Sequence, residues 1–449
     1  FNKESEFYKF HPNFIIISQW PNQFAPRFFN RFLSFANLNE IEAEIENILL
    51  RIYEILNSIR TNTSSPILIN NFPVFFRPTL GILDGQNDVS YINSINRLNR
   101  EMVQISENIS DVYIVDYMNL FSRIGTDNAF DIRYWQIGQA PLGKKALVPL
   151  GREYGNFFRA LKGKTKKCLI LDCDNTLWGG VVGEDLLGGI NLDSSYPGSS
   201  YRSFQEEILN LHDRGVILTL CSKNNEEDVL EVIRNHDLML INERHLSTWQ
   251  INWEDKVTNI KRIAEDLNIG LDSMVFIDDS EFECNLVRKE LPQVEVIQFS
   301  KEAYKMKSVL SECGFFDSLT YSSEDRKKNK LYQAEGKRKK IYKTAGNIEE
   351  YLDKLGIIVD IQTPNESEIP RVSQLTQKTN QFNLTTRRYT EGDIEGFIKD
   401  PSYDVYRLKS RDNISEMGII AVAIIKYESD HALIDTFLMS CRALGRGIE

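Results

Sequence analysis

Short apolar runs that stop abruptly on polar residues recur along the whole chain. In the first third they fall at 14–17 (Phe-Ile-Ile-Ile), 67–69 (Ile-Leu-Ile) and 112–115 (Val-Tyr-Ile-Val). Two longer stretches between them, 37–59 and 92–109, read as helices. The first places Ile41, Ile45, Ile48 and Ile52 at helical spacing with Glu40, Glu44 and Glu46 among them. Alternating strand and helix predicts a parallel α/β layer. The middle third repeats the scheme: the runs at 168–171, 216–221 and 274–277 have the unbroken apolar character of strands buried on both faces. Helices are expected at 200–213, where Phe204, Ile208, Leu209 and Leu211 recur, and at 257–267. The final third changes character, with 405–408, 418–425 and 432–439 reading as successive strands.

The three central strands end on chemistry. The first runs into Asp172-Cys173-Asp174-Asn175-Thr176, the second into Ser222-Lys223-Asn224-Asn225, the third into Asp278-Asp279-Ser280. Between the last two, Trp253-Glu-Asp-Lys256 opens the helix at 257–267. Carboxylates at the carboxyl end of a buried strand are costly unless they bind something, and in open α/β sheets that edge is where ligands sit. Paired carboxylates are hard oxygen donors that suit Mg²⁺ better than zinc, and no histidine stands at ligand spacing beside them.

Asp-x-Asp-x-Thr after an apolar strand resembles the first motif of the haloacid dehalogenase (HAD) superfamily. The longer string Asp-Cys-Asp-Asn-Thr-Leu-Trp-Gly-Gly-Val-Val-Gly-Glu-Asp at 172–185 is similar to the FkbH-like branch, which prepares glyceryl units for polyketide assembly. The resemblance covers roughly residues 130–449 and implies roles. Asp172 becomes the nucleophile on phosphorus and a Mg²⁺ ligand. Asp174 becomes the general acid–base, with its backbone carbonyl on the metal. Ser222 hydrogen-bonds the transferring phosphoryl group, Lys256 offsets charge on its oxygens, and Asp278 and Asp279 complete the metal site. The expected fold is a central Rossmann-like HAD domain at 163–320.

Spacing adds an independent expectation. Ser222 follows Asp172 by 50 residues and Lys256 follows Ser222 by 34. Neither interval holds an independently folding lid once a helix and a strand are fitted in, because such units need more than about 40 residues. A site without a large cap admits a large substrate, such as a group carried on a protein arm. The stretch 178–191, with five glycines among 14 residues, reads as a small mobile flap. Cys173 carries two readings of equal weight: a small buried residue on the strand, or a thiolate that accepts an acyl group as a thioester.

In FkbH-like proteins the N-terminal region, here 1–162, often resembles the SGNH hydrolase fold, and the strand–helix pattern is compatible with that. Hydrolysis there is not expected. A Ser-His-Asp apparatus needs a histidine base, yet His11 is the sole histidine before His212 and no Gly-Asp-Ser motif is present. A structural or partner-binding role is the expectation. The segment Asp131-Ile-Arg-Tyr-Trp135 followed by Gly151-Arg-Glu-Tyr is similar to the stretch leading into the HAD domain in this family.

The C-terminal region, 321–449, begins with a highly charged stretch at 321–345, read as a helical linker that is either a solvated face or a docking surface for an acidic partner. The segment 377–389 resembles a signature of FkbH-like C-terminal domains. The end, Cys441-Arg442-Ala-Leu-Gly445-Arg446-Gly447-Ile-Glu449, is similar to the pyrophosphate loop of GNAT-type acyltransferases, where backbone amides at a helix start hold coenzyme A. A GNAT-like α+β domain, incomplete at the chain end, is expected to receive a phosphopantetheine arm through Arg442, Gly445, Arg446, Gly447, Asn380, Gln381, Arg387 and Arg388.

Composition adds bounds. The 449 residues are 42% apolar and 26% charged, ordinary for a soluble protein of two or three domains. A net charge of −11 argues against general nucleic-acid binding. No run of 18 apolar residues predicts a membrane span, and no signal peptide is visible in a chain that opens at Phe1. Six cysteines without a CxxC pair suggest reduced, cytoplasmic thiols. The expected function is a Mg²⁺-dependent enzyme that takes 1,3-bisphosphoglycerate, removes phosphate and loads a glyceryl unit onto an acyl carrier protein. The alternatives are a phosphatase for another small phosphoester and a carrier-docking module with a vestigial site.

Overall fold

The apolar runs become strands, and sheets form in three places. The computed structural model describes residues 5–35, 37–299, 302–321, 338 and 346–449, apart from the Arg442 side chain. Two compact units are present: Phe1–Phe158 with Tyr389–Gly396, and Arg159–Arg388 with Phe397–Glu449.

In the first unit, β1 (Ile15–Ile17), β2 (Ile67–Asn70) and β3 (Val112–Val115) form a parallel sheet in the order β1-β2-β3. The crossovers are the helices Leu38–Arg60 and Tyr91–Glu107, within two residues of the bounds read from periodicity. Each starts on a side-chain cap: Asn37 accepts the Glu40 amide at 3.1 Å and Ser90 the Asn93 amide at 3.2 Å. The isoleucine face of the first helix packs against Phe28, Phe32 and Phe72, all buried. Each such side chain contributes about 1.5–3 kcal/mol by leaving water. Residues 389–396 join this unit, with the Gly392 amide donating to Asp111.

The second unit is built on a five-stranded parallel sheet of β4 (Cys168–Leu171), β5 (Ile217–Ser222), β6 (Leu246–Ile251), β7 (Met274–Asp278) and β8 (Glu295–Gln298), ordered β6-β5-β4-β7-β8. The chain runs outward from β4 to β6, then returns to β4's other side. The strand order therefore reverses between β4 and β7, the switch point where such sheets open a crevice. Residues Leu169, Leu171, Leu218, Leu220, Val275 and Ile277 point to one face, under the helix Gly198–Asp213. Cys168, Ile170, Ile217, Cys221, Met274 and Phe276 point to the other, under the helix Lys256–Leu267. The intervals between motifs hold no separate layer: two helices precede β5, and one helix and a short 3-10 turn precede β6.

The same unit carries an antiparallel sheet of β9 (Ile358–Gln362), β10 (Phe382–Asn383), β11 (Tyr403–Arg411), β12 (Glu416–Tyr427) and β13 (Ala432–Met439), ordered β10-β13-β12-β11-β9. The helix Ile369–Lys378 packs on β12. Its C-terminal end approaches Gly163 so closely that a Cβ there would lie 1.3 Å from the Gln377 carbonyl oxygen, and Gly163 has φ +64°. The charged stretch 321–345 lies outside the described residues except for Tyr321 and Arg338, whose guanidinium pairs with Asp412 at 2.7 Å. No helix among the described residues is long and apolar enough to cross a membrane.

Candidate active site

Three strand ends and one helix start meet at the carboxyl edge of the five-stranded sheet, and register decides what faces what. Leu171 pairs with Ile277 on β7 and with Leu220 on β5. Asp172 thus stands level with Asp278, and Cys173 level with Ser222. Lys256 is the first residue of its helix, which Asp255 caps by accepting the Thr258 amide at 2.8 Å. Its ammonium is buried and donates to Asp172 Oδ1 at 2.7 Å and to Asp278 Oδ2. Burial alone would lower the Lys256 pKa; the carboxylates of Asp172 and then Asp278 more than offset this and raise it. Burial, then the Asp172 charge, pushes Asp278 and Asp279 above the ordinary carboxylate value.

Oxygens of Asp172, Asp278 and Asp279 lie within 4.8 Å of one another. Three carboxylates against one ammonium leave two negative charges uncompensated, the deficit that one divalent cation fills. Asp174 lies outside this cluster. Its Oδ1 accepts from the Trp178 indole N–H at 2.9 Å and the Val182 amide at 3.0 Å, and its Oδ2 accepts from Asn224 Nδ2 at 2.8 Å. Three donors fix its orientation. Asn224 Nδ2 also reaches Ser222 Oγ at 3.3 Å.

Residues 1–150 match the family model for the FkbH N-terminal domain, and residues 167–325 match that of the NLI interacting factor-like phosphatases. The chain is similar to a crystal structure of the N-terminal part of a Bacteroides fragilis protein that contains a phosphatase domain complexed with Mg. The TM-score is 0.63 and the identity 28%, over 71% of this chain and 83% of that one. No curated protein matches the chain. The chain thus joins a region like the FkbH N-terminal domain to a HAD-like phosphatase domain, and is an enzyme of the HAD phosphatase type.

The acidic cluster suits Mg²⁺, the ion that the Bacteroides fragilis phosphatase domain holds. The residues fit it: hard carboxylate oxygens on Asp172, Asp278 and Asp279, gathered where negative charge is in excess. The carboxylate of Asp174 faces Trp178 and Asn224, away from the acidic cluster, which leaves its backbone carbonyl as the group expected on the metal.

The thiolate reading of Cys173 needs correction. The side chain is fully buried in the core, with Leu177 and Trp178, and its thiol faces Ser222. Burial pushes the thiol well above its ordinary value, so the enzyme presents neither a thiolate nor an accessible sulfur there. The flap expected at 178–191 is closed at its base, where the Gly179 amide donates to the Asn191 carbonyl at 3.1 Å and the Asn191 amide returns the bond at 2.7 Å.

The C-terminal candidates lie elsewhere. Asn380 Nδ2 reaches Asp272 at 3.4 Å, beside the amino end of β7. Arg387 pairs with Asp435, and Arg388 donates to the Thr376 and Thr379 carbonyls and to Asn380. Arg446 is buried against Met417 Sδ, while Gly445 and Gly447 take left-handed φ of 74° and 71°. Sequence reasoning overlooked Trp178 and Asn224 as holders of Asp174. A tryptophan between a catalytic turn and two glycines, and an amide two residues after Ser222, were the available signals.

Proposed function

We propose that this enzyme takes 1,3-bisphosphoglycerate, releases both phosphates and leaves a glyceryl thioester on an acyl carrier protein. The observation that supports the phosphoryl chemistry is the Lys256 ammonium held between Asp172 and Asp278 at the sheet edge. In this reading an Asp172 oxygen attacks the phosphorus of the phosphomonoester, and the ester P–O bond breaks. Asp174 gives the departing oxygen its proton, then takes one from the water that cleaves the aspartyl phosphate. Lys256 and Ser222 hold the phosphoryl oxygens. Bound Mg²⁺ would supply charge neutralisation between nucleophile and phosphate. The carrier thiol attacks the acyl phosphate carbonyl, and the C–O bond to phosphate breaks.

The carrier and glyceryl parts rest on the FkbH N-terminal match. They go with a division into an SGNH-like, non-catalytic region at 1–162, the catalytic region at 163–320, and a linker with a GNAT-like region at 321–449 that receives the phosphopantetheine arm. The Gly445 amide donates to the Glu449 carboxylate at 3.0 Å, an anion contact that the arm's phosphate would replace. A cytoplasmic location suits these substrates and the six free thiols.

The test is to incubate enzyme, Mg²⁺, 1,3-bisphosphoglycerate and a carrier protein, and to weigh the carrier. Glyceryl mass on the pantetheine arm supports the proposal. Phosphate without loading assigns the enzyme to another small phosphoester, and neither product leaves only a docking role. Charge reversal across 326–343 should slow loading without slowing phosphate release if that stretch meets the carrier.

A further inference from the structure

The amino edge of the parallel sheet carries a feature that the phosphoryl chemistry does not use. A cavity of about 400 Å³ opens there, lined among the described residues by Lys166, Lys167, Arg214, Arg371 and Lys378 and by one carboxylate, Asp272. In a chain of net charge −11 this is a marked local excess of cations. Asp272 offsets one of these charges, and its carboxylate also accepts from the Asn380 amide at 3.4 Å. Lys166 is nearly buried. Its ammonium donates to the Asp272 carbonyl at 2.8 Å, and its nearest carboxylate is Glu295 at 3.5 Å. Burial lowers its pKa, and the Glu295 and Asp272 carboxylates offset this only in part. Arg214 donates to the Phe316 carbonyl at 2.9 Å, and neither it nor Lys167 pairs with a carboxylate among the described residues.

Like charges gathered in a part-buried cavity repel, and a bound anion relieves that repulsion. The cavity is larger than a bare phosphate needs and falls in the range of small-ligand sites. Its remaining polar side chains are neutral, among them the hydroxyls of Thr320 and Ser440 and the amides of Asn380 and Gln381. We propose that this cavity is a second, non-catalytic site for a small phosphorylated molecule with a polar body. Lys167, Arg214 and Lys378 bind the phosphate, and the hydroxyls and amides bind the rest. Its phosphate is not the reacting one. Lys167 precedes β4 and Asp172 follows it, so four residues of strand, about 13 Å, separate the two edges. The site does not depend on the glyceryl reading.

Inorganic pyrophosphate is the probe, titrated calorimetrically into the full chain in EDTA so that the metal-dependent edge is silent. Wild type and Asp172→Asn should bind it. The pair Lys167→Glu with Arg214→Glu should bind about tenfold more weakly or worse, the scale of one lost charge contact, while hydrolysing p-nitrophenyl phosphate with Mg²⁺ at the wild-type rate. Should that pair fail to fold, Lys167→Gln with Arg214→Gln is read in its place. No binding by wild type in EDTA overturns the proposal. So does binding that the cavity variants leave unchanged, or binding that Asp172→Asn abolishes.

Discussion

Asp174 is held by its neighbours as firmly as any side chain in the site. Asn224→Ala removes the donor to Oδ2, and Trp178→Phe removes one of the two donors to Oδ1. Each change should lower kcat about 10–100-fold with little change in KM, because a misaligned acid–base group acts in the transition state and not in binding. Steady-state kinetics on p-nitrophenyl phosphate checks this. Lys256→Met should act on stability as well as rate. It leaves the buried Asp172 and Asp278 without their cation, at a cost of about 3–5 kcal/mol in metal-free enzyme. Urea unfolding in EDTA and in Mg²⁺ should show the metal recovering more stability in this variant than in wild type. At this scale the acids and the lysine were legible because charge at the end of an apolar run is conspicuous. Asn224 was not, because an asparagine in a turn has an ordinary conformational explanation. Cys173 carried two readings of equal weight, and its burial in the core favours the small buried residue. The pleat turns it into the core.

Among elements, β4, β5 and β7 were readable from their apolar runs, whereas β6 and β8 were not. β6 is Leu-Ser-Thr-Trp-Gln-Ile with only its ends buried, and β8 has one buried residue of four. Edge strands need no continuous apolar pattern, so periodicity says little about them. The turn leading into β6 carries a pH dependence. His245 accepts the Asn242 amide at 3.2 Å, and its ring meets that of His212 at 5.2 Å, with Arg244 and Asp213 nearby. Burial, then the His212 and Arg244 charges, lowers its pKa to about 4 from 6.5. Between these values the native state binds fewer protons than the unfolded state. The stability this group contributes is therefore complete above pH 6.5 and is lost as pH falls towards about 4. His245→Asn should flatten the fall in Tm across that window, as followed by circular dichroism.

At the scale of the whole molecule, the parallel and antiparallel sheets follow the change in hydrophobic pattern along the chain, and the phosphatase domain was legible from four short motifs. The membership of residues 389–396 in the first unit was not, since nothing local marks a segment whose partners are nearly 300 residues earlier, such as Asp111 for Gly392. The metal couples the site to global stability. Raised carboxyl pKa values at Asp278 and Asp279 mean that protons compete with Mg²⁺. In metal-free enzyme these groups favour the native state at low pH, and that contribution is lost as pH rises through their raised values. The Tm gain from saturating Mg²⁺ should accordingly be larger at pH 8 than at pH 5.5, measured by differential scanning fluorimetry.

The reactive groups hang from strand ends that the chain visits in the order β4, β5, β7, with Asp172 and Asp278 separated by 106 residues. A nascent polypeptide emerging from the ribosome can therefore assemble β4, β5 and β6 side by side and still be inert. In the proposed mechanism turnover waits for β7 to pair with β4, so the appearance of phosphatase activity during synthesis should mark the moment the sheet is completed at its centre.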